Sequence, residues 1–337
     1  MSRFRAPQTL PLALYRQVTE VRVSDPERSY RVAQRRQRRS KLAPRGMLNI
    51  VAADHPGRGV LSIGEDPIRM ADRHDYLARV MRVLSSPMVD GVMATMDVLE
   101  DLLIIHDLML EQGASPPLLD QKLLIASLNR GGLAGSAWEL DDPMTGPSPK
   151  TCVDWKLDGA KILLRICMSD AGSLKTMLAA SRAITEANAV SLPTFLEPLP
   201  VLKTGKGLQV QKSKEALVSA VSIASALGDS SRHLWLKLPY CEDYAAVAAA
   251  TSLPILILGG ESTGDPARFV KEISAAMAAS TNVRGALVGR NVLYPGDSDP
   301  LALADAIGKI VHRDSSAGEA IVAARTQPTG QPAPEDH

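Results

Sequence analysis

Apolar residues recur along this chain in two alternating rhythms. From residue 47 onward, short continuous apolar runs are separated by longer segments whose apolar positions fall three and four residues apart. The short runs are Met47–Ala53, Gly91–Ala94, Lys122–Leu128, Gly159–Ile166, Pro193–Glu197, Leu234–Leu238, Pro254–Leu258 and Gly285–Val288. Each has the length of a strand rather than a helix, and a continuous apolar run suits a strand buried on both faces. The longer segments, Ile68–Leu84, Val98–Met109, Ser173–Asn188, Lys212–Leu227, Asp243–Ala250, Pro266–Ala279 and Leu301–Val311, carry helical spacing, and a shorter helix is expected at Cys152–Leu157. Strands alternating with helices predict βαβ units and a parallel sheet. Eight such units between residues 47 and 313 predict an α/β fold, a (β/α)8 TIM barrel. A doubly wound open sheet is the competing architecture. The Gly-, Asp- and Pro-rich stretch Asn129–Ser148 is long for a connection inside such a domain, and loops of that length tend to be functional or mobile.

Composition agrees with an aliphatic α/β core: 45% of the 337 residues are hydrophobic and only 4% aromatic. No apolar run approaches the ~18 residues a membrane helix needs, and no secretory signal precedes the first elements. Cys152, Cys167 and Cys241 show neither disulfide-framework nor zinc spacing, which suits a cytoplasmic protein without a metal or other cofactor.

Charge sets the first 46 residues apart. They hold twelve Lys and Arg against Glu20, Asp25 and Glu27, a net +9 that leaves −8 on the remainder. The cluster Arg35-Arg36-Gln37-Arg38-Arg39 could touch nucleic acid or an acidic surface. No aromatic platform or recognition motif accompanies it. The preferred expectation is a solvated helix leading into the barrel and packing on a neighbouring subunit of a homo-oligomer. Residues 314–337, ending in the Pro-, Gly- and Gln-rich segment Gln327–His337, read as a flexible tail.

Active sites of such barrels lie at the C-terminal ends of the strands, so polar residues there are the candidates. Asp54 follows the first strand, Lys161 interrupts the fourth, Glu197 ends the fifth, Lys237 interrupts the sixth and Arg290 follows the eighth. A lysine inside an apolar strand is costly as an ammonium, so its pKa falls, and a neutral amine attacks carbonyl carbon. Lys237 is the candidate Schiff-base nucleophile, Lys161 a second cation that depresses its pKa, and Glu197 an acid–base group. Asp54 could bind substrate hydroxyls or orient a lysine; an Asp-His-Pro-Gly turn also places an aspartate there for local reasons. Gly259 and Gly260, with Gly289 and Arg290, end the last two strands, where barrels of this kind cradle phosphate. A phosphorylated small-molecule substrate is therefore expected, and a membrane or nucleic-acid partner is not.

Together these residues resemble the class I aldolases of the tagatose-bisphosphate and archaeal-type fructose-bisphosphate group, within the DeoC/LacD-like superfamily. The resemblance rests on Ala52-Ala53-Asp54-His55, Gly159-Ala160-Lys161-Ile162-Leu163-Leu164, Phe195-Leu196-Glu197-Pro198, Leu236-Lys237-Leu238-Pro239 and Val288-Gly289-Arg290-Asn291. It implies a Schiff-base role for Lys237, and it carries the family's fourth-strand lysine, fifth-strand glutamate and first-strand aspartate onto Lys161, Glu197 and Asp54. The archaeal-type enzymes have a tyrosine proton donor where this chain has Glu197, which favours the tagatose-like arrangement. The chain is most similar to the Cgl0159-like (β/α)8 group, a likeness that implies 6-phospho-5-dehydro-2-deoxygluconate and inositol catabolism as one setting, with a ketose bisphosphate as another. A deoxyribose-phosphate-type aldolase and a non-catalytic phosphosugar-binding barrel with a regulatory role are the alternatives.

Overall fold

Side chains of successive strand residues point to opposite faces, and that two-residue period organises the protein. A computed structural model describes residues 4–205, 207–260 and 265–312; the expected tail at 314–337 lies outside them. Its strands are β1 (Leu48–Ala53), β2 (Gly91–Ala94), β3 (Leu123–Ser127), β4 (Gly159–Ile166), β5 (Thr194–Thr204), β6 (Gly207–Val210), β7 (Leu234–Pro239), β8 (Ile255–Leu258) and β9 (Val283–Val288). All but β6 pair in parallel in the order β1-β2-β3-β4-β5-β7-β8-β9, and β9 returns to β1. The ring is closed, so the chain folds as a (β/α)8 barrel and the open sheet is excluded.

One set of alternate positions fills the barrel. Leu48, Ile50 and Ala52 of β1 meet Leu123 and Ile125 of β3, Phe195 of β5, Leu256 of β8 and Leu287 of β9 in an inner cluster. The other set, including Val51, Ile162, Leu164, Leu196, Leu236 and Ile257, faces the helices in a continuous outer core. The helices are α1 (Ala6–Thr9), α2 (Leu12–Ser24), α3 (Arg28–Arg35), α4 (Arg73–Leu84), α5 (Met96–Glu111), α6 (Pro149–Asp154), α7 (Gly172–Ala189), α8 (Lys214–Ser225), α9 (Tyr244–Ala249), α10 (Pro266–Ala279), α11 (Arg290–Leu293) and α12 (Pro300–Val311). Burying a large aliphatic side chain contributes about 1.5–3 kcal/mol, and α5 alone buries Val98, Leu99, Leu102, Leu103, Ile104, Ile105 and Leu108.

Three expectations need correction. The fifth strand does not stop at Glu197: β5 runs on to Thr204 and turns back antiparallel through β6, which pairs Val201 with Val210 and Thr204 with Gly207. Pro198 and Pro200 hid this continuation, since proline cannot donate to a ladder and reads as a strand stop. The helix expected over Ile68–Leu84 begins at Arg73, because Asp72 caps it by accepting from the Asp75 amide.

The basic arm is three helices rather than one, and it packs on its own barrel. Arg22 pairs with Asp101 at 2.7 Å and Glu100 at 3.0 Å, Arg28 with Asp107 at 2.8 Å, and Arg35 also with Asp107. Arg36 and Arg38 hold Asp158 at 2.6 and 2.8 Å, and Arg39 holds Asp90 at 3.0 Å. The four arginines of the basic cluster are thus committed to barrel carboxylates, which is where the arm's +9 meets the remainder's −8.

Candidate active site

The inner positions change character on the way up the barrel. In β1 they read Leu48, Ile50, Ala52 and then Asp54 just beyond; in β3, Leu123, Ile125 and Ser127; in β4, Lys161, Leu163 and Arg165; in β5, Phe195 and Glu197; in β7, Trp235 and Lys237. Apolar side chains make the floor, where the Phe195 and Trp235 rings lie 6.0 Å apart, and polar ones line the mouth. Above that floor opens a cavity of about 750 Å³ at the C-terminal ends of the strands.

All four residues expected to be catalytic line this cavity, and they touch. Lys161 Nζ lies 2.6 Å from Glu197 Oε2 and 3.4 Å from Asp54 Oδ2. Lys237 Nζ lies 3.1 Å from the same Glu197 Oε2. Asp54 Oδ2 also pairs with Arg130 and accepts from Ser127 Oγ at 3.1 Å. Lys161, Glu197 and Lys237 are each more than 90% buried.

Burial lowers the pKa of both lysines, and Glu197 opposes that in each case. Burial would raise Glu197, yet Lys161 and Lys237 outweigh it and hold the carboxyl well below the usual carboxylate range. One ionised carboxylate cannot balance two ammonium groups in so dry a place. The lowering is the larger for Lys161, although Lys161 is bracketed by two carboxylates whereas Lys237 has a share of one. Of the two amines, Lys237 thus has the weaker carboxylate compensation.

The glycines and Arg290 lie on one side of the same cavity. Gly259 and Gly260 end β8, and Gly289 and Arg290 follow β9, with Lys212 beside them. A Cβ on Gly289 would sit 2.5 Å from His55 Cε1 and 2.8 Å from the Ala52 carbonyl oxygen, so only glycine fits. Gly260 has φ +64°, which favours glycine. Asn291 Nδ2 donates to the Gly259 carbonyl at 2.6 Å and ties the two strand ends together. In all, seven Lys and Arg side chains and three carboxylates line the cavity, a formal +4, or +3 with Lys237 neutral, that suits an anionic ligand. Among the described residues no group of three or more His, Cys, Asp or Glu is placed to hold a metal ion. None of the helices in the described residues is long and apolar enough to cross a membrane.

Residues 46–308 match the family model described as Cgl0159-like. The chain belongs to that family. The crystal structure of Cgl0159 from Corynebacterium glutamicum is 37% identical, covers 90% of this chain and 98% of that one, and superposes with a TM-score of 0.83. An archaeal fructose-1,6-bisphosphate aldolase, with its catalytic Lys covalently bound to the carbinolamine intermediate of the substrate, is 21% identical. It covers 84% of this chain and 99% of its own with a TM-score of 0.57, a likeness of fold. An uncharacterized aldolase of Saccharolobus solfataricus is 31% identical over 139 residues. That match takes in 40% of this chain and about half, 47%, of the relative.

In this Cgl0159-like chain, several cavity residues escaped the strand-end rule. Arg165 sits on an inner position of β4, and Ser127, which donates to Asp54 beneath the cavity lining, sits on one of β3; the two-residue period from Lys161 and Ile125 would have found both. His55 also lines the cavity; burial, then Arg290 and Lys237, push its pKa well below the ordinary histidine value, so the imidazole is neutral. Arg58, Arg130 and Glu139 come from loops, and Leu199, Val201 and Leu208 from the hairpin arm. No local pattern marks the loop residues, whereas Leu199 and Val201 continue the two-residue period of Phe195 and Glu197 past the expected strand end.

Proposed function

We propose that the protein is a class I aldolase that cleaves a carbon–carbon bond in a phosphorylated ketose or keto acid through a Schiff base on Lys237. The observation that carries this reading is the pair of buried amines, Lys161 and Lys237, sharing one oxygen of Glu197. The aldolase names of the Saccharolobus relative and of the archaeal structural neighbour support it. Neutral Lys237 attacks the substrate ketone to give a carbinolamine, and loss of water leaves an iminium. The hydroxyl β to that carbon loses its proton, the intervening carbon–carbon bond breaks, an aldehyde departs, and the electron pair passes to the iminium as an enamine. Protonation and hydrolysis return the amine and the second product. Glu197, in contact with Lys237, carries the protons, and Lys161 holds it ionised between turns. The glycine cradle, Lys212 and Arg290 take the phosphate, so that remote binding energy positions the ketone.

A ketose bisphosphate and 6-phospho-5-dehydro-2-deoxygluconate are the substrates to test. Purified protein supplied with each is expected to release aldehyde in a coupled assay, undiminished by EDTA and lost in Lys237→Ala. Cleavage that persists in Lys237→Ala, or that stops with EDTA, would overturn the reading.

A further inference from the structure

Four places around an eight-stranded ring is half a turn. In the order β1-β2-β3-β4-β5-β7-β8-β9, β8 faces β3 and β9 faces β4. The glycine cradle closes β8 and β9, so the wall opposite it is built by what β3 and β4 carry at their upper ends: Arg130, in the loop after β3, and Arg165, on β4. Arg58, on the short turn Pro56–Arg58 after β1, lines the same cavity, and its backbone carbonyl accepts from the Ala134 amide of that β3 loop at 3.1 Å.

Two of these arginines are already engaged. Arg130 pairs with Asp54; Arg165 pairs with Glu139 and with Asp142 at 3.3 Å and donates to the Gly132 carbonyl at 2.9 Å. Arg58 differs. Its guanidinium makes no hydrogen bond to any described residue, although Nε and Nη1 are buried. Its ionic neighbour, Glu139 Oε1 at 3.8 Å, is beyond hydrogen-bond reach and is held by Arg165. Burying donors without partners is costly, and a guanidinium fork matches the two oxygens of a carboxylate or phosphoryl group.

We propose that Arg58, backed by Arg130, receives a second anionic group at the end of the substrate remote from the glycine cradle. The substrate is then doubly anionic and spans the barrel mouth, with one charge on each wall and its ketone over Lys237. This rests on the Schiff-base reading above and narrows it: a ketone phosphorylated at one end and carrying a carboxylate or a second phosphoryl group at the other.

The test is the concentration dependence of borohydride trapping, read by mass spectrometry, for wild type, Arg58→Gln and Arg58→Lys. The probes are fructose 1,6-bisphosphate, 6-phospho-5-dehydro-2-deoxygluconate and fructose 1-phosphate, whose far end is neutral. Arg58→Gln is expected to need about 10- to 100-fold more of at least one doubly anionic probe for half-maximal tagging, the scale of a lost charge-assisted pair. Its dependence on fructose 1-phosphate should not move, and Arg58→Lys should recover part of the loss. A shift with the bisphosphate alone identifies a phosphoryl group as the far anion, and a shift with the keto acid alone a carboxylate. An equal shift with all three probes, or none with a doubly anionic one, overturns the assignment of Arg58 while leaving the Schiff base intact. Absence of any tag on wild type overturns the Schiff-base reading and this inference with it.

Discussion

Two seams of buried charge run through the molecule, and they are matched differently. Between arm and barrel, six arginines meet six carboxylates: Arg22 pairs with Glu100 and Asp101, Arg28 with Asp107 and Glu111, Arg35 with Asp107, Arg36 and Arg38 with Asp158, and Arg39 with Asp90. At the barrel mouth, two lysines divide one carboxylate, and cations exceed acids along the walls. The first arrangement is charge-balanced and holds the arm in place. The second leaves an amine short of a counter-charge and a cavity short of anions, and both deficits are useful to a Schiff-base enzyme. Burial of charge alone distinguishes nothing; its balance does.

Breaking the mouth should destroy activity. Lys237→Ala is expected to lower kcat by at least ~1,000-fold, as loss of a covalent nucleophile does, without lowering Tm, because it removes a buried polar amine whose desolvation is costly; kinetics with thermal melting check both. Glu197→Gln should lower kcat by about 100- to 10,000-fold, the range for a lost acid–base group. It should also destabilise the fold, since two lysines then lack their shared anion, and breaking a buried pair typically costs about 3–5 kcal/mol. A Glu197→Gln variant with wild-type kcat would remove the carboxylate from the mechanism.

The same pairing sets the pH behaviour. The proposed role of Lys237 requires the neutral amine, and its pKa is lowered, so kcat/KM should rise with pH and reach its plateau below the ordinary lysine value of ~10.4. For stability, an amine whose folded pKa is lowered binds fewer protons folded than unfolded, so stability rises with pH between the two values. Glu197 has the opposite sign of origin: its depressed pKa contributes stability above ~4.3 that is lost as pH falls through the folded value. A rate profile that climbs only above ~10.4 would contradict the lowered amine.

Breaking the other seam should spare chemistry. Arg36→Met leaves Asp158 buried and short of a partner, and is expected to cost about 3–5 kcal/mol of stability with kcat unchanged. Arg22→Ala removes a half-exposed pair and should cost only ~0.2–1 kcal/mol. Denaturant unfolding beside kinetics separates the two, and a large loss of kcat in Arg36→Met at full folding would mean the arm reaches the site.

The barrel and the centre of its site were legible because both follow from local periodicity. Eight short apolar runs between helical segments could close only a few ways, and Asp54, Lys161, Glu197 and Lys237 were conspicuous as charges where apolar residues belong. What escaped depends on contacts between distant segments. Arg36 finds Asp158 across 122 residues, and nothing within the arm distinguishes a basic helix paired with its own barrel from one awaiting a partner. The β5–β6 hairpin was masked by Pro198 and Pro200 and by polar residues such as Lys203 and Gln209, which carry no apolar rhythm. Arg58 and Arg130 stand in loops, where spacing has no meaning; the closed ring places Arg130 opposite the glycines, and the contacts of Arg58 with Ala134 and Glu139 bring it to that wall.

The central claim is that Lys237 is an unprotonated nucleophile. Incubating the protein with borohydride and a phosphorylated ketone, then mapping the adduct by mass spectrometry, tests it most directly. A single substrate-dependent adduct on Lys237, absent from Lys237→Ala and present in Lys161→Met, is the expected result. An adduct on Lys161 instead, or turnover of the ketone without any borohydride-trapped adduct, would contradict it.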